Sequence, residues 1–157
     1  MTSLIQEIAP LLRSLRRYAR AVTGDWRTGE RYVHIALEIL AEEPWHVRRG
    51  QDVKFRLYKL FDEVLSIFEP APGDASADQA DPYHGLKHGV LDLPLLSRKL
   101  LLLVTVEHFP FSRAAELLEM PAREAEVHLA GARAQLCGLT AAFRDLPAER
   151  ILQEQAA

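Results

Sequence analysis

The sequence predicts an all-α protein built as two helical units on either side of a flexible linker, and three observations carry that prediction. Apolar residues recur at steps of three and four along three stretches of the first 70 residues. A stretch from 70 to 89, rich in proline, glycine and aspartate, then breaks the rhythm. Beyond it a short helix, a tight turn and a longer helix follow in helix-turn-helix outline. No strand of consequence and no internal repeat is visible.

The first helix carries Leu12, Leu15, Ala19 and Val22 on one side. Arg13, Arg16, Arg17 and Arg20 lie on the other, as a solvated face or as a docking surface for an acidic partner. Gly24 is a natural stop, and Asp25 is the expected cap of a second helix running to about Glu42, before Pro44. In it Tyr32, Ile35, Ala36, Ile39 and Leu40 keep the helical spacing. A third helix starts near Asp52 and shows Leu57, Leu60, Phe61, Val64, Leu65 and Phe68 until Pro70 closes it. Residues 1–69 are thus expected to form one bundle.

Residues 70–92 read as the linker, with Gly85 and Gly89 favouring a turn around His84 and His88. Helices resume at Leu93-Pro94, and the run from Leu100 to Val106 is apolar all round, so this helix must be covered on most sides. Phe109-Pro110-Phe111 breaks it. Ser112 is the expected cap of a short helix from Arg113 to Glu119, and Met120-Pro121 turns into a longer one reaching about Leu136. The second unit spans 93–140, and 141–157 is expected to be a further helical tail.

Composition narrows the function. The chain has 157 residues, 48% of them apolar, with a formal charge of −3, enough for a sizeable core but not for a surface basic throughout. It lacks an apolar run long enough to span a membrane, and its first residues lack the basic start of a signal peptide, so a cytoplasmic location is expected. The single cysteine, Cys137, makes neither an internal disulfide nor a finger-type zinc cluster. The glycines form no phosphate-binding loop. The carboxylate pairs Glu42/Glu43 and Asp62/Glu63 point about 100° apart on a helix and make no catalytic dyad. A non-enzyme without metal or cofactor is expected.

A DNA-reading helix would offer Arg, Lys, Asn or Gln at its first turns. Here it starts Pro121-Ala122-Arg123-Glu124-Ala125-Glu126, and residues 93–138 carry five basic and five acidic side chains. Carboxylates there would repel phosphate, so no DNA binding is expected.

Residues 15–40, LRRYARAVTGDWRTGERYVHIALEIL, resemble the start of region 2 of extracytoplasmic-function sigma factors. Residues 93–136 resemble their region 4, most specifically in Arg98-Lys99-Leu100-Leu101-Leu102-Leu103, Glu107, the string from Phe111 to Leu118, and Arg133-Ala134-Gln135-Leu136. The acidic cluster and glutamine of region 2 are replaced by Trp26 to Tyr32 and His34, and the basic recognition helix by the Arg123, Glu124, Glu126 pattern. That combination is similar to the sigma-like domain of the PhyR-type response regulators of the general stress response.

The resemblance implies a mimic that binds a NepR-like anti-sigma factor and so frees the EcfG-type sigma factor. It also implies control by a receiver domain following in the same longer chain. The 21 residues after Leu136 show no receiver pattern, which leaves open a part of a longer regulator or a stand-alone mimic. The expected partner surface combines Arg16, Arg20 and Tyr32 with Leu96, Leu100, Phe109, Phe111 and Leu117, the apolar members fitting an ordinary core equally well. The alternatives are a genuine extracytoplasmic-function sigma factor acting on polymerase and promoter, and a small helical adaptor.

Overall fold

In the computed structural model the described residues are 4–44, 47, 52–68 and 84–144. They form seven helices: α1 (Leu4–Thr23), α2 (Trp26–Glu42), α3 (Val53–Ile67), α4 (His84–Leu91), α5 (Leu95–Thr105), α6 (Phe111–Leu117) and α7 (Ala122–Arg144). No strand occurs among the described residues. The all-α prediction holds.

The first three helices start and stop where local chemistry places the signals. The Gly24 amide donates to the Arg20 carbonyl at 2.9 Å, closing α1 with φ at +77°. The backbone angle calls for glycine, and a β-carbon at Gly24 would in addition lie 2.7 Å from a methyl carbon of Leu91, which would have to shift. Asp25 caps α2 by accepting from the Thr28 amide at 2.9 Å, and Asp52 caps α3 by accepting from the Phe55 amide at 3.1 Å. Pro10 lies inside α1 on its exposed side, leaving the Gln6 carbonyl without its intrahelical donor. Gly29 lets α2 approach α1 closely, since a β-carbon there would stand 3.0 Å from the Ala19–Arg20 backbone.

Leu15, Tyr18, Ala19 and Val22 of α1 meet Val33, Ala36 and Leu40 of α2 and Leu57, Phe61, Val64 and Leu65 of α3 in the core. Phe68, read as the last member of the α3 stripe, instead lies past the helix, 44% exposed and stacked on Tyr32. The helix ends at Ile67, so Phe68 stands at its C-cap and leaves the buried stripe.

Three further expectations are corrected. The stretch read as linker contains α4, and His84 and His88 lie on that helix, not in a turn. Tertiary contacts outweigh its two glycines: Leu91 fills the space over Gly24, and the Val90 and Leu91 carbonyls accept from Arg98. The short helix starts at Phe111, with Pro110 and not Ser112 at its cap, because the amides of Arg113 and Ala114 both donate to the Pro110 carbonyl. α7 continues past Leu136 to Arg144. Residues 70–83 and 145–157 lie outside the described residues, and with them most of the linker and tail.

The apolar run is covered as its composition requires, with Leu100, Leu101, Leu102 and Leu103 all buried. After α5 the chain reverses at His108, whose φ of +58° is left-handed, and the Phe109 amide closes onto the Leu103 carbonyl at 2.9 Å. A second left-handed residue, Glu119 at +54°, makes the turn between α6 and α7. The two predicted units do not stand apart: α1 packs on α5, α3 packs on α6, and one contiguous core runs through both.

Candidate functional site

The seam between α1–α3 and the segment from 97 to 119 holds most of the buried ionisable groups. Glu107, 2% exposed, sits just past α5. Its carboxylate accepts from the Tyr58 hydroxyl at 2.6 Å and from the Arg17 guanidinium at 3.1 Å. Its backbone carbonyl accepts from Lys54 Nζ at 2.5 Å, and that ammonium lies 4.6 Å from the Phe109 ring centre. Lys99 Nζ pairs with Asp62 Oδ1 at 2.6 Å, both side chains largely buried. Lys59 Nζ reaches the Leu117 carbonyl at 3.1 Å and Glu119 at 3.0 Å. Burial, and then the hydrogen bond to Glu107, hold the Tyr58 phenol far above its ordinary pKa, so it stays a donor. The wholly buried Tyr18 is raised as well, by desolvation first and then by Asp62.

Arg98 ties the helix ends together. Its guanidinium donates to the carbonyls of Val22 at 2.7 Å, Val90 at 3.1 Å, Leu93 at 3.0 Å and Leu91. These acceptors lie in the last turn of α1, the last turn of α4 and the entry to α5, so one planar fork fixes three elements. Burial pulls the Arg98 pKa down, and Asp92 opposes that. The string Arg98, Lys99 and Glu107 singled out in the sequence is therefore a set of joints between elements.

Two faces remain toward solvent. On α1 and α2 stand Arg13, Arg16, Arg20, Arg27 and Arg31, with Arg16 paired to Glu30 at 3.0 Å across the two helices. Beside them, where the start of α1 meets the end of α2, Leu4, Ile5, Ile8, Leu12, Leu37 and Leu40 line an apolar groove of about 470 Å³. On α7 the outward residues are Arg123, Glu124, Glu126 and Val127, the last 70% exposed. The inward side of α7 is fixed to α5 by His128, whose Nδ1 lies 2.7 Å from Ser97 Oγ. Ser97 is itself buried against α7, so this pair joins helices.

The structure divides the expected partner-surface residues. Arg16 and Arg20 are exposed, and Leu96 and Phe111 are half-buried at the surface. Leu100 and Leu117 are fully buried, Phe109 is 6% exposed with its ring edge-on to Tyr58, and Tyr32 is 7% exposed with its hydroxyl on the Phe68 carbonyl. These four belong to the core in this arrangement: the seam that the sequence could not show covers Leu100, Phe109 and Leu117, while Tyr32 is covered within its own unit by Phe68. The sequence reading missed Tyr58, Asp62, Lys54 and Lys59. The i, i+4, i+8 spacing of Lys54, Tyr58 and Asp62 was the available signal.

Among the described residues no group of His, Cys, Asp and Glu is arranged to hold a metal ion, and no helix is long and apolar enough to cross a membrane.

A region 2-like three-helix bundle, a helix-turn-helix closed over it, and a recognition helix showing carboxylates outward define a sigma-factor-like helical domain. The comparisons with known proteins agree. A family model described as the sigma2 domain of PhyR matches residues 8–62. The phyllosphere-induced regulator PhyR of Methylorubrum extorquens is 31% identical over 118 residues, which is 75% of this chain and 43% of that protein. The chain thus spans less than half the length of that relative.

Among solved structures, the PhyRSL–NepR complex from Sphingomonas sp. Fr1 is 31% identical, covers 85% of this chain with 87% of its own length matched, and superposes with a TM-score of 0.69. The PhyR–NepR complex from Bartonella quintana is 30% identical over 83% of this chain and 49% of its own, with a TM-score of 0.65. The chain belongs to the PhyR family, to which it corresponds in the sigma-like part.

Proposed function

We propose that this chain is a sigma-factor mimic that binds a NepR-type anti-sigma factor and thereby releases an EcfG-type sigma factor in the general stress response. The observation that carries the reading is the outward face of α7. The sigma architecture is kept, yet the first turns of the helix that would read promoter bases offer Arg123 followed by Glu124 and Glu126, and an exposed Val127. Such a face has little to hold phosphates with, whereas a competitor needs only the surfaces that the anti-sigma helices pack on.

The surface proposed for the partner comprises Arg16 and Arg20, the apolar groove between α1 and α2, and the rim formed by Leu96 and Phe111. Arginines around an apolar cleft suit an amphipathic helix with acidic flanks. Relatives of this chain have been solved with NepR bound, which supports the same class of partner. A receiver domain in the same longer polypeptide would govern access to that surface.

The test is a calorimetric titration with the NepR-type protein of the same genome, repeated with the matching sigma factor as competitor. Submicromolar binding that displaces the sigma factor is expected. Promoter-specific binding together with core polymerase, in a gel shift, would sink the proposal in favour of a working sigma factor.

A further inference from the structure

The outer seam between α1 and α2 carries one pattern from end to end. On α1 it runs Ile5, Ala9, Leu12, Arg16 and Arg20, spaced i, i+4, i+7, i+11, i+15. On α2, which runs the other way, it is formed by Ala41, Leu37, Glu30 and Trp26. At one end the apolar members line the groove, with Ile5 75% exposed. In the middle Arg16 pairs with Glu30 at 3.0 Å, each side chain about half exposed. At the other end Arg20 is exposed, and Trp26, 59% exposed, holds the Arg27 guanidinium 5.6 Å from its ring centre.

Shape and charge together choose what lies there. A furrow between two packed helices accepts the side-chain ridge of a third helix, and a concave groove takes projecting apolar side chains better than it takes a flat surface. From Ile5 to Arg20 the seam is about 22 Å long, the span of about four helical turns. Arg13, Arg16, Arg20, Arg27 and Arg31 are exposed on a chain of net charge −3, and Glu30 is the one carboxylate in the two stripes. The complementary helix is therefore acidic where it passes the arginines. An exposed ion pair adds little stability, so exchanging Glu30 for an incoming carboxylate costs little.

We infer that this seam is a docking track for a single amphipathic helix of about four turns, anchored at both ends. Its apolar residues enter the groove, its carboxylates one and two turns further on displace Glu30 from Arg16 and reach Arg20, and Trp26 packs on its far end. The inference deepens the proposed function and rests on it for the identity of the helix as part of a NepR-type protein. Glu30 then acts as a built-in competitor for Arg16, lowering affinity for the acidic helix.

The test is calorimetry of the full chain with the NepR-type protein of the same genome, using variants at exposed positions only. Ala9→Glu, Arg20→Glu and Trp26→Ala should each weaken binding about tenfold, whereas Glu30→Gln should strengthen it several-fold. Unchanged binding in the first three variants, or weaker binding with Glu30→Gln, overturns the track and leaves the proposed function standing on the parent's own binding. A parent that binds no NepR-type protein removes the proposed function instead. The track is then decided with 16-residue helical peptides bearing Leu at i, i+4 and i+7 and Glu at i+11 and i+15, made in both sequence directions. Trp26 fluorescence reports binding in the chain carrying Trp45→Phe. One direction should shift the emission and bind about tenfold tighter than its counterpart with Lys for Glu; no response, or equal binding of the two, overturns the inference. Binding to phosphatidylserine vesicles that Ala9→Glu and Arg20→Glu abolish, with both helical probes unaffected, assigns the seam to a lipid surface and overturns it as well.

Discussion

Replacing Arg98 by methionine tests the reading of that side chain as a joint between three elements. The substitution keeps the length and apolar stem of the side chain and removes the donors that serve the carbonyls of Val22, Val90, Leu91 and Leu93. A hydrogen bond with a charged partner contributes about 1.5–3 kcal/mol, and bonds sharing one guanidinium are not additive. Water will reach some of the vacated carbonyls, because the side chain is only partly buried. The expected loss is therefore about 3–5 kcal/mol, the range for removing one member of a buried polar network and not the sum of four bonds.

Urea unfolding followed by circular dichroism gives the number directly, and for a chain of this size the melting temperature should fall by roughly 10 °C. Arg98→Lys should recover less than half of the loss, since an ammonium on a flexible stem does not fit a planar set of acceptors. A loss below about 1 kcal/mol for Arg98→Met, or full recovery by lysine, refutes the joint and leaves Arg98 an ordinary surface charge.

Other perturbations address other links. Gly29→Ala gains up to about 1 kcal/mol of helix propensity but forces a β-carbon to 3.0 Å from the α1 backbone, so net destabilisation of about 1–2 kcal/mol is expected in the same urea assay. Leu117→Ala should destabilise by about 2–5 kcal/mol, because the side chain is fully buried; a nearly unchanged midpoint with weakened partner binding would return Leu117 to the docking surface. Asp25→Ala removes the α2 cap at a cost of about 1 kcal/mol. Bonds from the Thr28 side chain and amide hold the Asp25 pKa below its ordinary value. Its contribution is therefore present above the unfolded-state pKa of about 3.9 and fades as the pH falls through the lower folded value, so the gap between wild type and Asp25→Ala should narrow progressively as the pH is lowered beneath the ordinary aspartate range.

The first three helices were legible because their determinants are local. Asp25 and Asp52 cap within three residues of themselves, Gly24 terminates α1 by its own backbone angle, and the apolar stripes repeat every turn. The helix-turn-helix was legible for the same reason, displaced by two residues where Pro110 took the role given to Ser112. α4 was not, since two glycines in eight residues argue against a helix, and what holds it comes from Leu91 over Gly24 and from Arg98, outside the segment.

The seam was equally out of reach. The sequence marked Arg98, Lys99 and Glu107 as a distinctive string, and with it the kind of protein this is. It did not show that Lys99 meets Asp62, that Glu107 meets Arg17 and Tyr58, or that Phe109 turns inward onto Tyr58. Periodicity states that one face of a helix must be covered, and composition states that the face is apolar. Neither states whether the cover is the same chain or a partner, because contacts separated by 37 to 90 residues depend on how the helices dock. Only the tertiary structure decides which of Leu96, Leu100, Phe109, Phe111 and Leu117 remain for another protein to touch.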